Sequence, residues 1–324
     1  MTAPAKGLVI AEDGLAPVAN RPLVLYGLDA LRRAGIREVA VLADEPALGA
    51  VRDLAGQNVR CLPASRGADA GECLAAAADF LGDSPCVAQL RDGLFRGEVG
   101  PLVDELVRDD LDALLLLDPA GETLTSIDDQ RLLRLAGGDT SDCLAGLHVL
   151  GPRVVREAGR GGGLAELLGR VVEAGGRART RCLEGAWKRV ERSEDLLEAN
   201  RLVLDGLRAE PWRGELRDSR VEGRVAIGPG ALLESTVVRG PAVIGSRARV
   251  SHAYIGPYTA IGDDVDIEGA EIEHSVVLPG AQIKNLGGRL EASVVGRGAR
   301  VFRDFALPRA MRVRLADGDE IALG

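Results

Sequence analysis

Between Val221 and Val301 aliphatic residues recur in three interleaved columns. Val221, Val238, Ile255 and Ile272 stand seventeen apart, and a second column, six residues on, holds Ile227, Ile244, Ile261, Leu278 and Val295. The third holds Leu233, Val250, Ile267, Ile283 and Val301, with Ile283 one residue out of phase. Each turn is thus a six, a six and a five, punctuated by small or turn-forming residues such as Gly228-Pro229-Gly230 and Gly262-Asp263. Three short strands per turn make three flat walls, and the columns stack into one continuous core. Corners this tight select Gly, Asn and Asp, which tolerate unusual backbone angles. No turn buries its own face alone, so several must stack, and about four and a half fit here. The pattern predicts a left-handed parallel β-helix over 221–302; an antiparallel sheet with regular turns would not keep three columns in register.

Upstream the period changes. Apolar runs at Gly7–Ala11, Val39–Leu42, Val59–Leu62, Cys86–Leu90 and Asp112–Leu117 have strand length. Between them, helical patterns cover Pro22–Ala34, Pro46–Leu54, Gly71–Leu81 and Val99–Val107. Strands alternating with helices predict an α/β, Rossmann-like domain whose mostly parallel sheet is covered on both faces. Ligands of such sheets bind at the carboxyl ends of the strands, near the topological switch. A helix over Ser193–Leu207 closes this domain at 1–207; 208–220 reads as a linker and 303–324 as a tail.

Composition narrows the function classes. A net charge of −9 and 3% aromatic residues give neither a basic footprint nor a stacking platform for nucleic acid. The run Arg177-Ala178-Arg179-Thr180-Arg181 reads as a solvated strand or loop. No apolar stretch has membrane-spanning length and the first residues carry no signal pattern, so a soluble cytoplasmic protein is expected. The five cysteines are scattered, with no C-x-x-C spacing, and are expected to be small core residues in a reducing compartment.

The segment Pro17-Val18-Ala19-Asn20-Arg21-Pro22-Leu23-Val24-Leu25-Tyr26, continuing to Val39, resembles the corresponding part of sugar-1-phosphate nucleotidylyltransferases, most of all the long-form glucose-1-phosphate thymidylyltransferases. Ser193–Leu204 looks like the family's closing helix, and Ile255–Gly262 like its β-helix. The resemblance implies joining a sugar 1-phosphate to a nucleoside triphosphate with release of pyrophosphate. Such chemistry rests on positioning and on positive charge around the phosphates. The family supplies a glycine-rich loop after its first strand, two lysines and two aspartates for Mg²⁺.

Several of these elements are missing here. The first strand runs into Ala11-Glu12-Asp13-Gly14-Leu15-Ala16-Pro17, short and acidic where the family has its glycine-rich loop and Pro-Lys pair. The family's Glu-Lys-Pro position corresponds to Leu135-Ala136-Gly137-Gly138, and its Gly-Leu-Ala segment to Asp69-Ala70-Gly71-Glu72. Asp92 matches the first metal aspartate. The second is expected after Trp187-Lys188, where this chain has Arg189. Gly146, Trp187 and Lys188 remain as relic substrate-binding positions, and Asp92 as a relic metal ligand. Each has a plainer reading: close packing for Gly146, a solvated strand edge for Lys188, a turn or cap for Asp92.

The resemblance and its losses together predict a non-catalytic homologue, a scaffold or regulatory partner in sugar-nucleotide metabolism. It is expected to be oligomeric, homo- or hetero-, with an active nucleotidylyltransferase paralogue as a candidate partner. No cofactor is expected, with Mg²⁺ required if the chain is active. The alternative is an active enzyme with an atypical phosphate site built from Arg21, Arg66, Arg91, Lys188 and Arg189. A third reading, acyl transfer, would use His252 or His274 as a general base on the β-helix.

Overall fold

The computed structural model describes residues 5–12, 14–117, 144–208 and 211–303, and the chain divides into two compact units, Met1–Leu207 and Arg208–Gly324.

The first unit is α/β. In chain order it contains β1 (Lys6–Ile10), the short pair β2 (Pro17–Val18) and β3 (Arg21–Pro22), α1 (Leu23–Arg33), β4 (Val39–Ala43), α2 (Glu45–Ala55) and β5 (Val59–Pro63). Then come α3 (Ala70–Ala76), α4 (Ala78–Leu81), β6 (Cys86–Gln89), β7 (Gly93–Gly97), α5 (Gly100–Arg108) and β8 (Ala113–Leu117). It closes with β9 (Leu144–Leu150), α6 (Pro152–Ala158), α7 (Leu164–Glu173), β10 (Ala178–Cys182), β11 (Gly185–Arg189) and α8 (Ser193–Asp205). The helix expected over Gly71–Leu81 is two pieces, α3 and α4, meeting at Ala77.

The main sheet runs β10-β8-β9-β6-β1-β4-β5. Every pairing is parallel except those of β9, which is antiparallel to both β6 and β8. Alternate residues feed cores on opposite faces: Val9, Val41 and Val87 on one, Leu8, Ala40, Leu42 and Ala88 on the other. The chain winds from β1 out to β5 and returns across to β6, so the sheet reverses direction between β1 and β6. A crevice forms at the carboxyl ends there.

The arginine run of β10 is partnered rather than merely solvated: Arg179 meets Glu105 and Asp109, and Arg181 meets Glu105. Cys73 and Cys86 are buried as expected, and burial pushes both thiols up to about 12. Cys182 departs from the expectation. It is exposed, because it ends the edge strand β10.

The second unit is a parallel β-helix of three stacked sheets, with six, five and five strands. The first column runs Val221, Val238, Ile255, Ile272 and Leu290 in register, and the third Leu233, Val250, Ile267, Ile283 and Val301. The second differs from expectation. Val277, not Leu278, lies between Ile261 and Val295. One residue is missing between Ile272 and Val277, and the spacing is restored by a longer connection between Ile283 and Leu290. Register survives because the length changes fall in corners, where no ladder bond depends on them. The coil also starts earlier than the expected 221: Glu215–Arg217, within the stretch read as a linker, pairs in parallel with Leu232–Glu234.

Candidate ligand site at the carboxyl edge of the sheet

The connections leaving β1, β5 and β6 wall a cavity of about 410 Å³, completed by the start of β9 and the loop before α7. Its lining includes Glu12, Gly67, Asp69, Arg91, Asp92, Gly146, His148 and Glu191. Four carboxylates therefore face one guanidinium among the described residues.

Two of those carboxylates occupy amides that could otherwise meet an anion. Glu12 accepts from the Gly67 amide through Oε1 at 2.9 Å. Asp69 caps α3, accepting from the Glu72 amide through Oδ1 at 2.8 Å, while the Glu72 side chain accepts from the Asp69 amide. Free amides at a loop and a helix start commonly take phosphate oxygens. Here the protein's own acids take them. Gly71 is required in this first turn, since a Cβ there would lie 2.1 Å from the Gly162 carbonyl oxygen.

Gly146 lines the cavity, and a Cβ on it would come within 2.3 Å of Trp187 Cζ2; one on Gly93 would meet the same indole at 2.5 Å. Trp187, on β11 paired with β7, is buried in the face of the core that these two glycines leave open. Lys188 is not part of the cavity lining: its Nζ lies 2.8 Å from Asp195 Oδ1 on α8. Burial alone would raise the Asp195 carboxyl, but the Lys188 ammonium and the Arg192 and Glu191 amides outweigh it and hold it down to about 2. Asp92 does line the cavity, with its own carbonyl accepting from Val190 N–H.

For Mg²⁺ the cavity offers Asp92, one of the two aspartates that the resemblance implies. Among the described residues no three His, Cys, Asp or Glu side chains converge on a point, and Arg189, where the family's second aspartate is expected, pairs with Glu191. Arg21 pairs with Asp29 at 2.7 Å and sits over the Tyr26 ring, outside the cavity lining. Of the five cationic candidates, Arg91 lines the cavity. Leu135–Gly138 and Asp13 lie outside the described residues.

The residue that sequence reasoning missed is His148. It sits in β9 between Ala88 of β6 and Leu115 of β8, 3% exposed, at the cavity wall. A bulge at Leu115–Leu117 turns the Leu116 amide out of the ladder, and that N–H donates to His148 Nδ1 at 3.3 Å. Burial, aided by Arg91, drives the imidazole down to about 3, so it is neutral and its proton rests on Nε2. A lone histidine in the apolar run Leu144-Ala145-Gly146-Leu147-His148-Val149-Leu150 was the available signal.

His252 and His274 are corner residues of the β-helix, both left-handed, with φ of 49° and 47°. His252 borders a shallow surface groove, while the His274 ring lies 6.0 Å from Tyr258.

No family model matches the chain. It is 32% identical over 326 residues to a glucose-1-phosphate thymidylyltransferase of Streptomyces griseus, covering 94% of this chain and 91% of that one. A glucose-1-phosphate thymidylyltransferase of Streptomyces antibioticus is 31% identical, over 95% and 93% of the two chains. A low-salt glycan biosynthesis nucleotidyltransferase of Haloferax volcanii is 30% identical, again over 95% and 93%. A solved Bacillus anthracis structure, named for a glucose-1-phosphate thymidylyltransferase in complex with a sucrose, superposes with a TM-score of 0.51 at 17% identity. That match covers 61% of this chain and 94% of that one and bears on the fold alone.

Proposed function

The chain belongs to the sugar-1-phosphate nucleotidylyltransferase family, and we propose that it is a catalytically degenerate member serving as a scaffold or regulatory subunit in sugar-nucleotide metabolism. The observation that carries this reading is the acidic cavity. Glu12 and Asp69 hold the amides that would meet phosphate oxygens, and Asp92 and Glu191 add further negative charge. A nucleoside triphosphate entering there meets repulsion where the family's chemistry needs cationic groups, and losing even one preorganised contact of that kind typically costs about a hundredfold in rate. Lys188, tied to Asp195, serves to dock α8.

An assembly role draws on the β-helix unit. Its three columns stay in register from turn to turn, and it exposes Trp212 and Phe302, one near each end of the coil. No helix among the described residues is long and apolar enough to cross a membrane.

The test is to incubate pure protein with Mg²⁺, each nucleoside triphosphate and common sugar 1-phosphates, and to assay pyrophosphate. No release is expected; turnover at about 1 s⁻¹ or faster, an ordinary enzyme rate, sinks the reading. The second reading, an active enzyme with an atypical site, is favoured by similarity over nearly the whole chain to proteins named as transferases. That same turnover would establish it, with Mg²⁺ then required.

A further inference from the structure

We infer that the cavity at the carboxyl edge of the sheet binds a small polyhydroxylated ammonium compound, an amino sugar in chemical class, with no phosphate on it. The inference rests on the reading that this chain does not turn over nucleotides, and it names what the altered site would hold instead.

Size comes first. About 410 Å³ suits a single sugar-sized ligand rather than a nucleotide and a sugar phosphate together. Charge comes second. Among the described residues, Glu12, Asp69, Asp92 and Glu191 line the space against Arg91, and acid prevails even counting Arg189, which pairs with Glu191. Glu12 and Asp69 are each held through one oxygen, and each side chain reaches the cavity. Their fixed positions make them preorganised acceptors for an ammonium group. The carboxylates do not gather around one point as metal ligands do, so an extended organic cation fits better than a bare ion.

His148 is the independent observation. This side chain is 3% exposed, lies at the cavity wall, and spends Nδ1 on the Leu116 amide. Among the described residues nothing bonds its Nε2. That N–H is not among the sealed, unsatisfied side-chain atoms of the described residues, so it borders the cavity and stands as a donor for a ligand hydroxyl. A neutral donor among carboxylate acceptors matches a molecule carrying both hydroxyls and an amine.

Titration calorimetry on the full chain at pH 7 and low salt, with D-glucosamine as probe, tests this. Glucosamine should bind about tenfold or more tightly than glucose or N-acetylglucosamine, a difference worth about 1.4 kcal/mol. Raising the salt to about 0.5 M should weaken glucosamine and leave glucose unchanged. Glu12→Gln and Asp69→Asn keep the oxygens that hold the Gly67 and Glu72 amides while removing charge. Each should weaken glucosamine about threefold or more without affecting glucose. His148→Gln, which keeps an N–H, should bind both sugars better than His148→Phe. The inference is overturned by no heat with glucosamine, by tighter binding of glucose 1-phosphate or of thymidine triphosphate with Mg²⁺, by unchanged affinity in the two isosteric variants, or by a heat with MgCl₂ alone that those variants abolish. Pyrophosphate release in the same preparations would instead sink the non-catalytic reading, so the two failures are separable.

Discussion

His148 carries two consequences at once, one for binding and one for stability. Its neutral imidazole satisfies a bulged backbone amide that would otherwise be a buried orphan. Its folded value is about 3 against an ordinary 6.5, so between those limits the unfolded chain takes up a proton and the folded chain does not. Stability from this group is therefore complete above about pH 6.5 and falls as pH drops, by up to about 1.4 kcal/mol per unit. By pH 5 the loss should reach about 2 kcal/mol. Urea unfolding of wild type and His148→Gln at pH 7.5, 6 and 5 checks this: the gap between them should shrink as pH falls, and parallel curves would refute the assignment. Asp195 acts lower on the scale. With its carboxyl held to about 2, its contribution with Lys188 persists above pH 4 and is lost only on further acidification.

The elements show how local chemistry sets the β-helix and why its histidines belong to the frame. Asp218, Ser235, His252 and Gly269 stand at the same corner of successive turns, all with φ between 46° and 60°. A left-handed residue is demanded there by the corner, and His, like Asp, occupies that region more readily than most. Replacing His252 by Gly should leave stability within about 0.5 kcal/mol, because relief of backbone strain offsets lost side-chain contacts and added unfolded-state entropy. His252→Val should cost about 1–2 kcal/mol, since a β-branched residue is least tolerated at positive φ. Thermal melts separate these outcomes; equal damage from both substitutions would mean that the imidazole itself is needed. In the first unit a comparable positive-φ turn, Ala19-Asn20, joins β2 to β3, and the Ala19 amide donates to Asn200 Oδ1 on α8 at 3.1 Å. The closing helix is thereby tied to the segment that carries the family resemblance.

For the whole molecule, the decisive fact is that each unit has its own core. Ile255 is fully buried in the β-helix, and Trp187 lies between Gly93 and Gly146 in the first unit. Chains built from separate cores depart from two-state unfolding. Calorimetry should resolve two transitions. Gly146→Ala should lower the α/β transition by about 1–3 kcal/mol through overpacking against Trp187. Ile255→Ala should lower the β-helix transition by about 2–5 kcal/mol through the cavity it leaves. A single transition shifted by both variants would show that the units unfold as one.

The sequence by itself determined the periodic parts. The columns of the β-helix and the buried strands of the α/β sheet are repeated, local signals, and each is reinforced by its neighbours. The short acidic connection after β1 was equally plain, as was the full-length family resemblance. Tertiary structure alone decided which side chains meet. Leu278 and Val277 are both apolar neighbours, and only the ladder chooses between them. Lys188 turns toward Asp195 because a partly buried carboxylate needs a partner, a demand invisible seven residues upstream. His148 reaches the cavity because β9 runs antiparallel between β6 and β8 and a bulge in β8 leaves an amide to cap. Periodicity is written residue by residue, whereas a site is made from residues brought together only when the sheet closes over its core.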